Sequence, residues 1–168
     1  YIISKIVINP QNPNQIFAAT MGLPFVRDNN RGVYRSNDGG ETWEQVLFVS
    51  NQAGAIDMVI NPNNPTTIYA SFWDRIRNNQ ETTIEGEHGG VWRSTDGGTT
   101  WEELTNGLPA DEVMGRVNIT ISKSNPNILY AALVAPYSSA LYGIFRSQDG
   151  GDSWQQTAAS GAEDITGG

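Results

Sequence analysis

The chain has no cysteine and only one histidine among its 168 residues. Disulfide bridges and thiolate metal sites are therefore excluded, and a zinc or copper site would lack its usual ligands. No apolar run reaches the roughly 18 residues that a membrane-spanning helix needs. No window keeps the i, i+3, i+4, i+7 apolar spacing of an amphipathic helix, so the sequence predicts little helix of any kind.

Basic charge is also scarce, and no basic run or stripe is present. The chain carries 18 acidic and 10 basic side chains, for a net charge of -8. Binding to duplex nucleic acid depends on clusters of side chains that neutralise phosphates, so we expect no nucleic-acid partner. The first residues, "YIISKIVINP", lack an initiator methionine and a signal peptide and resemble the interior of a strand. We therefore expect the chain to be a segment of something longer.

One short sequence motif occurs three times. "RSNDGGETWE" returns as "RSTDGGTTWE" and as "RSQDGGDSWQ". A period of roughly 55 residues with four short β runs per unit is typical of β-propeller blades. The sequence predicts an all-β partial propeller of three four-stranded antiparallel blades over residues 1–168. The blades cover about 2–49, 55–105 and 115–157, and 158–168 form a linker or tail.

Each unit divides into strands A to D. Strand A is predicted at Lys5–Asn9, Asp57–Asn61 and Asn118–Ser122, and it stops at "NPQNP", "NPNNP" or "SKSNP" because proline cannot donate to a ladder. Strand B follows as "QIFAAT", "TIYASF" and "ILYAAL". Strand C is "GVYRS", "GVWRS" and "GIFRS", and strand D begins at the tryptophan that follows.

The repeated phrase is the predicted hairpin between strands C and D. Its double glycine supplies the positive φ of a tight turn, and its aspartate accepts backbone N–H groups across that turn. The tryptophan is expected to bury its ring beside the next blade. These residues are predicted to be structural: Ser36, Asp38, Gly40, Thr42, Trp43, Ser94, Asp96, Gly98, Thr100, Trp101, Ser147, Asp149, Gly151, Ser153 and Trp154.

The pattern Ser-x-Asp-x-Gly-x-Thr/Ser-Trp resembles the Asp-box, or BNR, motif, and all three copies match it. The chain looks like the Asp-box propellers, which include sialidases, xyloglucanase-type glycoside hydrolases, sortilin-type receptor domains and photosystem II assembly factors. It is most similar to exported bacterial glycosyl-hydrolase-like or sortilin-like BNR-repeat proteins. The resemblance implies a ring of about seven blades, with Asp boxes at its outer edge, away from the binding face. It also implies that a xyloglucanase-like catalytic pair would be split between two propellers.

We expect the functional residues to lie on those connections between strands that vary from blade to blade. The B–C loops are 21–31, 73–89 and 134–142, and the D–A loops include 48–54 and 105–115; the repeated turns open onto the other face. Strand A also begins with a different polar residue in each blade, next to the central channel. The ligand-binding candidates are Lys5, Asn118, Arg116, Trp73, Arg75, Arg77 and Tyr137.

Two readings of the function remain open. The first is an extracellular binding or scaffold segment that presents the variable face to a protein or glycan. The alternative is part of a xyloglucanase-like glycoside hydrolase, which needs two carboxylates about 5–10 Å apart. Asp57 is then the candidate catalytic carboxylate, paired with Asp74 or with a glutamate of the 81–87 loop. A sialidase is disfavoured because Arg35, Arg93 and Arg146 share one repeat position and so belong to the scaffold.

The remaining expectations concern cofactors, partners and cellular localisation. No cofactor is expected, although calcium could be held by "RDNN" or by the acidic 81–87 loop. Three blades are too few to close a ring of about four to eight, so we expect partners in the remainder of the propeller or in other chains. The absence of cysteine does not settle a compartment, but the resemblance to exported bacterial proteins implies that the chain is secreted, extracellular or periplasmic, in a bacterium.

Overall fold

The computed structural model describes residues 1–109, 114–136 and 140–159. These residues form strands, turns and loops without any helix, and none of them could build a helix long and apolar enough to cross a membrane. Three antiparallel four-stranded sheets follow one another along the chain, and we call them blades 1, 2 and 3. The all-β prediction is therefore confirmed.

The strands pair in chain order within each blade, apart from a small extra hairpin in the B–C loop of blade 2. Blade 1 contains β1 (Ile2–Ile8), β2 (Ile16–Gly22), β3 (Gly32–Ser36) and β4 (Glu44–Leu47). Blade 2 contains β5 (Ala53–Ile60), β6 (Ile68–Asp74), β9 (Gly90–Ser94) and β10 (Glu102–Glu103), with the hairpin β7 (Ile76–Arg77) and β8 (Thr82–Thr83) inserted. Blade 3 contains β11 (Val117–Ile121), β12 (Leu129–Val134), β13 (Leu141–Ser147) and β14 (Gln155–Ala159).

Strand A begins earlier than the sequence predicts in blades 1 and 2. β1 starts at Ile2 rather than Lys5, and β5 starts at Ala53 rather than Asp57. In both strands the register shifts just before the predicted start, between Ile3 and Lys5 and between Ala55 and Asp57. Such an irregularity breaks the period-two pattern, which is why the upstream half of the strand is hard to read from the sequence. Lys5 and Asp57 therefore lie inside their strands.

The core consists of two apolar layers, each between consecutive blades. Phe17, Ala19 and Val33 of blade 1 pack against a layer of blade 2 that includes Met58 and Phe72. Tyr69 and Val91 of blade 2 pack in the same way against Val117, Leu129 and Leu133 of blade 3. Burying each large apolar side chain stabilises the fold by roughly 1.5–3 kcal/mol, so the stacking of blades is a main source of stability.

The Asp box is a closed set of hydrogen bonds inside its own hairpin. In blade 1, Ser36 Oγ donates to Asp38 at 2.7 Å and accepts the N–H of Gly40 at 2.8 Å. The Asp38 carboxylate accepts the Thr42 N–H at 2.9 Å and also the Thr42 hydroxyl. The boxes of blades 2 and 3 repeat these bonds.

Positive φ angles at the paired glycines, 78° at Gly39 and 98° at Gly40, make this turn possible. Its hydrogen bonds also favour the charged form of the aspartates. The Thr42 hydroxyl bond is the largest of the effects that hold the pKa of Asp38 well below its ordinary value. In blade 3 the corresponding bond from Ser153 is the main cause that lowers the pKa of Asp149 to about 2. The serine and aspartate side chains of each Asp box, and the threonine or second serine that follows them, therefore have hydrogen-bond partners within the box itself.

The box tryptophans pack against the preceding blade, so the expectation that they face the next blade is wrong. Trp154 is 4% exposed and belongs to the layer that blade 3 shares with Tyr69 and Val91 of blade 2. Trp101 packs in the same way against the layer shared with blade 1. Trp43 has no preceding blade in this chain and is 42% exposed. The direction follows from the hairpin, in which each indole N–H donates to a glycine carbonyl of its own box, for example at 2.9 Å from Trp43 to Gly40.

Candidate functional site

The variable-loop face, formed by the B–C and D–A connections defined above, is held by backbone hydrogen bonds. The N–H of Arg77 donates to the carbonyl of Pro24 at 2.8 Å, and the N–H of Arg75 donates to that of Gln52 at 2.9 Å. These bonds join the B–C loops of blades 1 and 2 to the D–A loop between them. The long second loop is consequently part of an ordered surface, with its backbone fixed from both sides.

A buried arginine supports this surface from below. Arg31 is fully buried and donates to the carbonyls of Gln52 and Leu23 at 2.7 Å and of Val26 at 3.1 Å. Burial lowers its pKa, and the charges of Asp28 and Asp74 oppose that shift. A charge in such a place is tolerated only when it is hydrogen-bonded and compensated. Arg31 is a structural residue that the sequence did not single out.

A cavity of about 580 Å³ opens on the variable-loop face and draws its walls from all three blades. Its cationic side consists of Arg75, Arg77 and Arg116, with Trp73 between them. Its other side and floor are mainly apolar, and they are formed by Ile2, Ser4, Met21, Pro24, Phe25 and Ile56. We call this cavity the arginine pocket. It gathers four of the predicted ligand-binding residues in one place.

Trp73 organises the cationic side of the arginine pocket. Its indole N–H donates to the carbonyl of Ile84 at 2.6 Å, which fixes the ring. The guanidinium carbon of Arg75 lies 5.1 Å from the ring centroid, and that of Arg116 lies 6.0 Å from it. These are cation–π distances, so the ring positions two guanidinium groups that come from different blades.

The three predicted polar residues of strand A also meet, but outside the arginine pocket. The Asp57 carboxylate of blade 2 accepts the N–H of Ile119 at 3.2 Å and the Asn118 amide at 3.3 Å, both from blade 3. Lys5 of blade 1 lies 3.7 Å from the other oxygen, which also accepts the N–H of Met58 at 2.9 Å. Asp57 thus connects the innermost strands of three blades through contacts on both of its oxygens.

Asp74, the second candidate carboxylate, is fully buried. One of its oxygens accepts the N–H of His88 at 2.8 Å and lies 3.2 Å from His88 Nδ1. The other has no hydrogen-bond partner among the described residues. Together with its charge interaction with Arg31, these contacts give Asp74 a place in the support of the loops.

The structure does not bring Asp57 and Asp74 together. Asp57 pairs with Ser71 across the β5–β6 ladder, and Ser71 donates to the Val117 carbonyl of blade 3 at 2.7 Å. Asp74 lies two residues beyond Phe72, which packs towards blade 1. Because side chains alternate along a strand, the two carboxylates project from opposite faces of the same sheet. They cannot flank one glycosidic bond in this arrangement.

Two of the possible calcium ligands, Asp28 and Glu81, already have other partners. Asp28 of "RDNN" accepts the N–H groups of Leu23 at 2.9 Å and Asn30 at 3.0 Å. Glu81 forms a bidentate ion pair with Arg27, at 2.9 and 3.1 Å. Within the described ranges no group of three or more histidine, cysteine, aspartate or glutamate side chains is arranged to hold a metal ion.

Tyr137 lies outside the described residues, so its prediction stays untested. The apolar half of the arginine pocket was missed, although Phe25 in "GLPFV" is an aromatic residue in a variable loop, which was an available signal. It is 60% exposed.

Comparison with known proteins identifies the repeat and the fold. The BNR/Asp-box repeat family matches residues 34–45 and 92–103. A xyloglucanase from Paenibacillus is 27% identical over 174 residues, which is 90% of this chain and 16% of the relative. A xyloglucanase from Acetivibrio thermocellus is 27% identical over 181 residues, or 92% of this chain and 20% of the relative. The chain thus spans a fifth or less of these relatives.

Solved structures agree on the architecture. An ancestral GH74 enzyme superposes with a TM-score of 0.69 at 24% identity, covering 97% of this chain and 19% of that one. YCF48 from Cyanidioschyzon merolae superposes with a TM-score of 0.57 at 19% identity, covering 98% of this chain and 42% of that one. YCF48 bound to D1 peptide gives a TM-score of 0.52 at 15% identity, covering 94% of this chain and 40% of that one. The three sheets are therefore blades of a β-propeller.

Proposed function

We propose that the chain is a partner-binding segment of a larger β-propeller. The Asp boxes are architecture, and the variable-loop face holds a protein or glycan outside the cytoplasm of a bacterium. The observation that carries this proposal is the arginine pocket, in which cationic and aromatic side chains from three blades meet and no carboxylate of the described residues lines the wall. Such a wall favours recognition, whereas hydrolysis of a glycosidic bond requires a pair of acids.

The larger ring is supported by a contact that recurs between blades. Arg35 in strand C of blade 1 donates to the carbonyl of Gly97 in the next Asp box at 2.6 Å, and Arg93 of blade 2 donates to Gly150 at 2.8 Å. Arg146 holds the same repeat position in blade 3. A further Asp-box blade would offer its guanidinium group the equivalent glycine carbonyl.

The opposite end supports the same proposal. Blade 1 exposes the face that a preceding blade would cover, including Ile3, Ile6 and Trp43. Together with Tyr34 and other residues they line an open cavity of about 550 Å³. An exposed apolar surface of this kind is typical of an interface. In the layers between blades 1 and 2 and between blades 2 and 3, the corresponding surface is covered by the neighbouring blade.

The second candidate is a segment of a xyloglucan-hydrolysing enzyme. The similarity to two xyloglucanases over nine-tenths of the chain favours it. Since Asp57 and Asp74 face opposite sides of blade 2, the catalytic pair would have to include another carboxylate, either a glutamate of the 81–87 loop or one from elsewhere in the protein.

A paired measurement separates the two functions. The full native chain is tested for reducing sugars released from xyloglucan and, separately, for binding to the polysaccharide, as wild type and as Asp57→Asn. A binding segment predicts no hydrolysis that depends on Asp57. Hydrolysis that is abolished by Asp57→Asn while the protein melts at the wild-type temperature would establish the enzyme instead.

A further inference from the structure

We infer that the arginine pocket receives an acidic peptide segment. Carboxylates of the peptide bind the guanidinium groups of Arg75, Arg77 and Arg116, and its aliphatic side chains lie on the apolar floor. This inference rests on the binding function proposed above and names the class of partner.

The first support is charge. The chain has a net charge of -8, and several of its arginines are already paired with carboxylates, as Arg27 is with Glu81 and Arg93 with Glu102. By contrast, no salt bridge joins a guanidinium group of the arginine pocket to any carboxylate of the residues that the structure describes. Three neighbouring cations that have no counterion among the described residues favour an anionic ligand, and arginine binds carboxylates in a bidentate manner.

The second support is the state of Trp73. An aromatic ring that binds a neutral sugar must offer a free face to it. Here the Arg75 and Arg116 guanidinium carbons lie 5.1 and 6.0 Å from the ring centroid, so the ring is engaged with cations. The geometry therefore presents guanidinium groups rather than an open indole.

The third support is the apolar floor. Phe25 and Ile2 are 60% and 46% exposed, while Met21 and Ile56 behind them are buried. An acidic polysaccharide would supply carboxylates but no aliphatic side chains for this surface. An extended peptide in which acidic and aliphatic residues alternate supplies both, because alternate side chains point to opposite sides.

The pocket is also organised before a ligand arrives. The backbone N–H groups of Arg75 and Arg77 are bonded to the neighbouring loops, and Trp73 is fixed by its bond to Ile84. Little ordering entropy is then lost on binding, so a short peptide is sufficient for measurable affinity.

The test measures binding of a synthetic peptide of alternating glutamate and leucine to the full native chain, by calorimetry at low salt. Arg77→Ala and Arg116→Ala are the main variants, because both side chains are exposed and their removal leaves the core intact. Each is expected to weaken binding about tenfold, the loss of one charge-assisted contact. Arg27→Ala is the matched control, an exposed arginine of the same face that is paired with Glu81, and it should change affinity by less than about twofold.

The remaining arms identify the ligand class. The same peptide with glutamine in place of glutamate should not bind; equal binding of both peptides would overturn the inference. Binding of polygalacturonate that depends on Arg77 and Arg116, with no peptide binding, would also overturn it while leaving the proposed binding function intact. Asp57-dependent hydrolysis of xyloglucan, with neither polyanion bound, would overturn the inference and the proposed function together.

Discussion

Arg93 of blade 2 donates a hydrogen bond of 2.8 Å to the carbonyl of Gly150 in the Asp box of blade 3. The same carbonyl accepts the Tyr69 hydroxyl of blade 2 at 2.7 Å. Arg35 makes the equivalent contact with Gly97 one blade earlier. The Asp box therefore acts twice, since its internal bonds hold the turn and its glycine carbonyl receives the preceding blade. This double use explains why each copy of the repeated sequence includes the arginine that precedes its Asp box.

Removal of the arginine should loosen the stack of blades. Arg93→Ala deletes the bond to Gly150 together with ion pairs to Asp152 and Glu102 at 2.6 and 2.7 Å. We expect the free energy of unfolding to fall by about 1–3 kcal/mol, because the Gly150 bond involves a charged donor. Urea denaturation followed by tryptophan fluorescence measures this loss. Arg27→Ala serves as a surface control, and equal stability of the two variants would refute the contact's role.

The Asp boxes should make stability sensitive to acid. Hydrogen bonds from Ser153 lower the pKa of Asp149 from 3.8 to about 2, and the pKa values of Asp38 and Asp96 are lowered for the same reason. A lowered pKa in the folded state contributes stability that is present above the ordinary pKa and is lost as the pH falls towards the folded one. We expect the melting temperature to fall between about pH 4 and pH 2. Circular dichroism melts across this range test it, and a flat profile there would contradict it.

Asp57 should matter for stability. Its substitution by asparagine keeps the size but removes the charge near Lys5 and one of the acceptors for Ile119 and Asn118. We expect Asp57→Asn to cost about 1–2 kcal/mol of unfolding free energy. Binding at the arginine pocket should be unchanged, because Asp57 is not part of its wall. If Asp57→Asn were as stable as the wild type, the structural role of Asp57 would be refuted.

The 168-residue polypeptide should self-associate when it is produced alone. Ile3, Ile6 and Trp43 are 52%, 58% and 42% exposed on the free face of blade 1. An apolar blade face that lacks its neighbour promotes association. Sedimentation velocity should show oligomers, and Ile6→Lys should shift them towards monomer. A wild-type monomer would contradict the prediction.

The sequence was sufficient for the repeated parts of the molecule. The Ser, Asp, Gly and Thr of each box predict their own hydrogen bonds because all the partners lie within one short turn. The NP-containing turns likewise ended strand A within one residue of the predicted position, since proline is a local signal. The blade against which each Asp-box tryptophan packs could not be predicted from the residues of its own turn. It depends on how one sheet rests on another, and the prediction of the next blade as its partner was wrong.

The candidate site was predicted only in part, for a physical reason. Trp73, Arg75, Arg77 and Arg116 were chosen one by one from variable segments, and their convergence depends on the stacking of blades 2 and 3. The apolar floor was missed because Ile2 and Ile56 lie in strand A at its register shifts, Ile2 just before one and Ile56 within one, where the alternating pattern fails. The opposite orientations of Asp57 and Asp74 depend on strand register, which residue type alone does not reveal.

The central claim is that the Asp boxes are architecture and that the partner binds at the variable-loop face. The chain has no cysteine, so single thiols can be introduced without background. Asn79→Cys lies beside the arginine pocket and Thr95→Cys lies within the Asp box of blade 2, and both positions are exposed. Each is coupled to a polyethylene glycol maleimide, and binding of the acidic peptide is then measured. We predict that the label at Asn79→Cys abolishes binding and that the label at Thr95→Cys leaves it unchanged; the reverse result would contradict the account.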